Sequence, residues 1–254
     1  TYFAAYDDLL SKYRGRPITF VEVGVLGGGS LFMWREFFGP AARIIGIDIN
    51  PAARKWEKDG FEIFIGSQSD PAFWQDFATK VGPVDVLLDD GGHTYDQQII
   101  TFESMIGNIR DGGLLIVEDT HTSYMSGFGP RRYSFMRFVA RQVDRMNGRF
   151  SAFDGPDAER RFWSVRIYES IVAFVINREA SYLRSEATDN GGEDDASIDM
   201  TMTDITEAQP LVNLARAIVA RLGPFAKAPG IPYLRAAAGA LLPIIRFKSR
   251  RYFK

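Results

Sequence analysis

Val84-Asp85-Val86-Leu87-Leu88-Asp89-Asp90-Gly91-Gly92-His93 is an apolar run that ends abruptly in two carboxylates, two glycines and a histidine. The branched residues, bounded upstream by Gly82-Pro83, suit a strand buried on both faces of a parallel sheet. The glycines then turn the chain. Ligands of open α/β sheets bind in the crevice outside the carboxyl ends of the strands, so Asp89, Asp90 and His93 are expected at its mouth. A second stretch, Gly113-Leu114-Leu115-Ile116-Val117-Glu118-Asp119, repeats the pattern and is followed by His121. If the two strands are parallel neighbours, Asp90, Glu118 and Asp119 come together. Carboxylates clustered with no lysine nearby in sequence are costly unless they are protonated or bound to a hard cation such as Mg²⁺, which takes oxygen ligands. Any one of them, taken singly, could equally cap a following helix. The chain has only 2 histidines, and both fall beside these carboxylate pairs and outside any apolar pattern, which points to a chemical role for at least one.

Upstream, Ile18 to Gly24 reads as a first strand, Gly24-Val25-Leu26-Gly27-Gly28-Gly29-Ser30 as a glycine-rich turn, and Leu31 to Phe38 as a helix. That order lets backbone approach a ligand and offers it helix N-terminal N–H groups. Asp48 closes the next strand, Arg43 to Asp48, at the distance from the turn expected of a residue binding ribose hydroxyls; the alternative is a cap on the helix after Pro51. Phe61 to Gly66 makes a third strand whose polar end, Ser67-Gln68, faces the same side, with Asp70 before Pro71 placed to cap the next helix. A helix from Tyr95 to Arg110 carries Ile99, Phe102, Ile106 and Ile109 on one face. Tyr2 to Tyr13 reads as a short packing helix stopped by Arg14-Gly15-Arg16-Pro17. Strand and helix alternate, which implies an α/β fold with a doubly wound, mostly parallel sheet and right-handed crossovers.

Downstream, Thr120 to Arg132 holds Tyr124, Met125, Phe128 and Arg131 among glycines and suits a lid over the crevice, with a plain loop as the alternative. Tyr133 to Met146 is helical by spacing. Phe162 to Tyr168 and Ile171 to Asn177 read as a hairpin that puts an antiparallel pair at one sheet edge. The expected organisation is one domain over 1–180, an acidic flexible connection over 181–206 and a helical appendage over 207–254, docked on the domain or joining copies of the chain as a homo-oligomer. The appendage ends in Lys248, Arg250, Arg251 and Lys254, for which a basic amphipathic membrane contact is the minor reading.

With 30 Lys and Arg against 32 Asp and Glu, the chain has no overall electrostatic footprint for nucleic acid. The absence of cysteine excludes a disulfide framework, a thiolate metal site and a cysteine nucleophile, and is compatible with a reducing cytoplasm. The longest apolar run, Ala236 to Ile245, is interrupted by Gly239 and Pro243 and is too short to span a bilayer. A soluble, cytoplasmic protein is expected.

Val21-Glu22-Val23-Gly24 with its following glycines, Asp48, and the carboxylates after the fourth strand resemble the class I S-adenosylmethionine-dependent methyltransferases over Ile18 to Asn177. Asp89-Asp90-Gly91-Gly92-His93 together with Val117-Glu118-Asp119-Thr120-His121-Thr122-Ser123-Tyr124 resembles, more narrowly, the metal-dependent macrolide sugar O-methyltransferases of mycinamicin type and their cephalosporin-hydroxylase-like relatives. The resemblance implies a seven-stranded Rossmann-like sheet. It implies S-adenosylmethionine held around Glu22, Gly24, Ser30, Asp48, Ser67, Gln68 and Asp89, and Mg²⁺ held by Asp90, Glu118 and Asp119. His93 becomes the base, and His121, Tyr124 and Arg131 belong to the lid over a small-molecule acceptor, a sugar or glycoside hydroxyl. A nicotinamide-dependent oxidoreductase shares the turn and the ribose carboxylate but has no use for the paired carboxylates. A non-catalytic assembly role through the C-terminal helices is the other competing reading.

Overall fold

A computed structural model describes residues 2–147 and 162–183, and positions 210, 213, 214 and 217. The chain divides into the units Thr1–Ser185 and Glu186–Lys254, and the fold described here belongs to the first. The connection and the helical appendage expected beyond Leu183 lie outside the described residues, those four positions apart.

Seven strands form one sheet: β1 (Thr19–Val23), β2 (Arg43–Asp48), β3 (Glu62–Ile65), β4 (Val84–Asp89), β5 (Ile109–Val117), β6 (Ser164–Tyr168) and β7 (Ile171–Val175), in the order β3-β2-β1-β4-β5-β7-β6. The first five are parallel, and β7 runs antiparallel between β5 and β6. The order reverses between β1 and β4, which is where a crevice opens in doubly wound sheets. Register makes the strand ends level, because Val23 lies beside both Ile47 and Asp89, and Asp89 beside Val117. The next residue of each strand therefore emerges along one line: Gly24, Asp48, Asp90 and Glu118.

Side chains alternate across the pleat and bury against two helix layers. On one face Phe20, Ile44, Val86, Leu88, Leu114 and Ile116 pack against α1 (Tyr2–Leu10) and α2 (Gly29–Phe38). On the other Val21, Ile45, Leu87, Leu115 and Phe174 pack against α3 (Pro71–Val81), α4 (Tyr95–Met105) and α5 (Phe135–Met146). A short α6 (Arg178–Tyr182) follows β7. Asp70 caps α3 by accepting from the Ala72 N–H, with Pro71 at the first helical position, as its sequence predicts. The expected helix from Tyr95 to Arg110 stops sooner. It tightens at Ile106–Asn108 into a 3₁₀ turn because Ile109 is already paired with Val84 in the sheet.

The N-terminal helix is fastened at several points. Tyr13 Oη and Lys12 Nζ donate to the Gly112 carbonyl, and Asp8 accepts from Tyr168 and Arg166. Among the described residues no helix is long and apolar enough to cross a membrane.

Candidate active site

The glycine turn is built around close approach. Gly24 has φ +92°, and a Cβ there would lie 2.1 Å from the Asp90 carbonyl oxygen. Only glycine lets the turn after β1 pass so near the backbone after β4. Gly28, at φ +79°, likewise leaves room for the indole of Trp56. Asp48 reaches the turn from β2, Oδ2 accepting from the Val25 and Leu26 N–H groups at 2.9 and 3.0 Å and Oδ1 from the Asn50 N–H at 2.8 Å. It caps no helix. That work is done by Asn50, which accepts from the Ala52 N–H ahead of the 3₁₀ segment Pro51–Asp59. Leu26 and Ile49 flank Asp48 with apolar side chains 94% and 73% exposed, an open surface that the sequence reading did not single out.

Four residues expected at the cofactor surface, Glu22, Ser30, Gln68 and Asp89, spend side-chain hydrogen bonds beneath the turn and the histidine loop. Glu22 is 1% exposed, and its carboxylate accepts from Ser30 Oγ and Trp34 Nε1, both at 2.8 Å. It therefore holds the turn and the start of α2 together, and Ser30 spends its hydroxyl on the same bond. Burial, with the Asp90 charge a lesser cause, raises the Glu22 carboxyl to about 7. Asp89 points to the α4 side of the sheet, where Oδ1 accepts from Gln68 Nε2 at 2.6 Å and from the Gly91 N–H at 3.2 Å. Gln68 also donates to Thr101 and accepts from the Gly92 N–H, so this buried pair fixes the glycines that lead to His93. The Asp89 Oδ2 atom is buried without a hydrogen-bond partner, and burial raises the carboxyl to about 7. Ser67 Oγ accepts from the Ser69 N–H and shapes the turn before α3.

Asp90, His93 and Asp119 converge, each offering a ligand atom within 4.8 Å of the others. Asp119 gets there through a left-handed backbone, φ 52° and ψ 32°, which costs a non-glycine residue energy and turns its carboxylate back toward β4. His93 Nε2 lies 3.3 Å from Asp119 Oδ2, and His121 Nδ1, on the more exposed of the two imidazoles, lies 3.8 Å from Asp119 Oδ1. Glu118 is beside the cluster but not in it. Buried at 2% exposure, its carboxylate is engaged by the hydroxyl of Tyr6. Burial pushes Asp90 up to about 6, with Asp119 adding to the shift and His93 opposing it. Burial pushes Glu118 up to about 8, Tyr6 opposing and Asp90, Glu22 and Asp119 adding. Among the described residues no lysine or arginine is a cause of either shift.

The segment after Asp119 begins as a 3₁₀ turn, Thr120–Tyr124, with Thr120, Thr122 and Ser123 buried. Tyr95 Oη donates to the Thr122 and Met125 carbonyls, and Thr122 Oγ1 donates to the His93 and Asp119 carbonyls. The base of the expected lid is thus tied to the histidine loop, while Tyr124 and Arg131 stand exposed beyond it.

The sequence and the fold are similar to those of known methyltransferases. Residues 21–120 match the methyltransferase domain family. The 8-demethyl-8-alpha-L-rhamnosyl tetracenomycin-C 2'-O-methyltransferase of Streptomyces olivaceus is 37% identical over 135 residues, which is 50% of this chain and 35% of the relative. The mycinamicin VI 2''-O-methyltransferase of Micromonospora griseorubida is 35% identical over 131 residues, 49% of this chain and 32% of the relative. The matched region spans about a third of these curated relatives. The solved MycE methyltransferase of the mycinamycin biosynthetic pathway, in complex with Mg and SAH, aligns at a TM-score of 0.64 and 25% identity, covering 68% of this chain and 49% of that one.

Proposed function

We propose that this chain, which carries a methyltransferase domain of the MycE fold, transfers the methyl group of S-adenosylmethionine to a hydroxyl of a sugar or glycosylated natural product, with Mg²⁺ at the ends of β4 and β5. One observation carries the reading: level strand ends set the glycine turn beside carboxylates that pair with no lysine or arginine among the described residues, and a histidine that faces them. Relatives named as sugar O-methyltransferases, and a structural neighbour described with Mg and SAH, support it. The nicotinamide reading leaves the carboxylate cluster without work.

Methyl transfer from a sulfonium is a direct displacement, so the site has to align the acceptor oxygen with the methyl group and make that oxygen nucleophilic. The donor set fits a hard cation. Asp90 and Asp119 offer oxygens within 4.8 Å of one another, Glu118 stands beside them, and a bound cation would offset the cost of burying these neighbouring carboxylates, whose pKa values burial and mutual repulsion raise. When bound, a divalent metal acidifies an attached hydroxyl, as it lowers the pKa of bound water from ~15.7 to ~7. Mg²⁺ prefers oxygen, which leaves the His93 imidazole to take the acceptor proton, with Asp119 orienting Nε2 at 3.3 Å. On the cofactor side the open turn at Gly24, the Asp48 carboxylate and the apolar Leu26 and Ile49 form the surface for the nucleoside, while Glu22, Ser30 and the Gln68–Asp89 pair keep it in shape. His121, Tyr124 and Arg131 face the acceptor. The partner is a small molecule rather than nucleic acid, and a cytoplasmic setting suits the cofactor.

Methyl transfer from labelled S-adenosylmethionine to a panel of glycosides, with Mg²⁺ and with excess EDTA, tests the reading. Metal-dependent label in a glycoside is expected. NADH binding with no response to S-adenosylmethionine or S-adenosylhomocysteine would end it.

A further inference from the structure

The N-terminal helix reads in sequence as packing, yet its two i, i+4 tyrosines both end on the carboxylates of the site. Tyr6 Oη donates to Glu118 Oε1, and Tyr2 Oη donates to Asp119 Oδ1. The helix that carries them is pinned elsewhere, by Tyr13 and Lys12 on the Gly112 carbonyl and by Asp8 on Tyr168 and Arg166. Its buried face, Ala5, Tyr6, Leu9 and Leu10, sits in the same core as β4 and β5, so the phenols are delivered from a fixed frame. The Tyr6 ring packs edge-on against Trp34, ring centres 5.0 Å apart, and Trp34 donates to Glu22 beneath the glycine turn. Tyr6 thereby touches both halves of the site.

We infer that Tyr2 and Tyr6 are positioning residues of the cation site: each phenol holds one carboxylate oxygen, of Asp119 and Glu118, and so sets the direction in which the carboxylate offers its remaining lone pairs. The inference rests on the metal reading above. Partners of this kind matter because a carboxylate free to rotate loses its ligand geometry, and removing such a partner typically weakens metal binding by about 10- to 100-fold.

The test is a calorimetric titration of the full chain with Mn²⁺, a spectroscopically convenient substitute for Mg²⁺, on the wild type, Tyr6→Phe, Tyr2→Phe and Tyr13→Phe. Phenylalanine keeps the ring that packs on Trp34, so circular dichroism and S-adenosylhomocysteine affinity should match the wild type. Tyr6→Phe is expected to weaken Mn²⁺ by about 10-fold or more, and Tyr2→Phe by less because the Asp119 carboxylate also has His93 beside it. Tyr13→Phe, which removes a phenol of the same N-terminal segment that bonds to a backbone carbonyl instead, should leave Mn²⁺ affinity unchanged. Equal Mn²⁺ affinity in the wild type, Tyr6→Phe and Tyr2→Phe overturns the inference alone. A loss in Tyr13→Phe as large as in Tyr6→Phe also overturns it, by showing that any loosening of the helix suffices. A wild type that binds S-adenosylhomocysteine but no Mn²⁺ overturns the metal reading and this inference with it.

Discussion

The ends of β1, β2 and β3 and the ends of β4 and β5 lie along one line, yet they are finished in opposite ways. On the first side the carboxylates are satisfied from inside: Asp48 accepts three backbone N–H groups and Glu22 accepts from Ser30 and Trp34. On the second, Asp90 and Asp119 converge with Glu118 beside them, and among the described residues their side-chain partners are two histidines and two phenols. The difference separates two tasks. A surface that cradles a nucleoside works best if its shape exists beforehand, because then little ordering is lost on binding. A cation site works by leaving charge uncompensated until the cation arrives, and like charges held together cost stability meanwhile.

The sharpest way to break the comparison is at its chemical centre. His93→Ala should lower turnover by about 10² to 10⁴ while leaving S-adenosylhomocysteine affinity almost intact, since proton transfer is lost and the turn is untouched. His121→Ala should do less, and steady-state kinetics on a confirmed acceptor compares the two.

Glu22 is the carboxylate through which the halves feel each other, and pH exposes it. Its folded carboxyl is raised to about 7 from the ordinary 4.5, so folding favours the protonated form. That contribution is fully present below pH 4.5 and is lost as pH rises through about 7. At about 1.4 kcal/mol per unit, the loss is on the order of 3 kcal/mol across this window, and Glu22→Gln should flatten it in chemical denaturation measured from pH 5 to 8. A denaturation profile of Glu22→Gln as steep as that of the wild type would remove Glu22 from the account.

Mg²⁺ should act on the second side only. At a hundred times its Kd it should stabilise the protein by about 2.7 kcal/mol, reversibly with EDTA. Asp90→Asn should abolish that gain in a thermal melt while making the metal-free protein more stable at pH 8, because a like charge has gone. Asp48→Ala should do the reverse and cost the metal-free protein on the order of 1–2 kcal/mol, since the N–H groups of the turn lose their acceptor. If both substitutions shift the melt in the same direction, the two halves do not differ as described.

The strands and their punctuation were legible in the sequence because glycine, proline and branched residues carry local causes that no tertiary context reverses here. The meeting of Asp90 with Asp119 was legible too, since two parallel strands of like ending must present them together. What did not show was direction. Asp89 and Asp90 both read as crevice residues, but the pleat sends Asp89 with Leu87 toward α4, and only Asp90, past the strand end, turns to the cluster. Glu22 shares the pleat face of Phe20, two residues before it, and is carried into the layer of α2, where Trp34 donates to it. Tyr2 and Tyr6 were hidden more deeply. Their spacing marks a buried helix face, and nothing local states that the helix lies over β5, so their hydroxyls could not be matched with Glu118 and Asp119 before the fold was known.

The most direct test of the division between the two halves is calorimetry of Mg²⁺ and of S-adenosylhomocysteine on the wild type and on Asp119→Asn. One Mg²⁺ site in the wild type, lost in the variant, with S-adenosylhomocysteine bound about equally by both, is the result expected. S-adenosylhomocysteine binding that collapses with Asp119→Asn, or Mg²⁺ binding that survives it, would contradict the account.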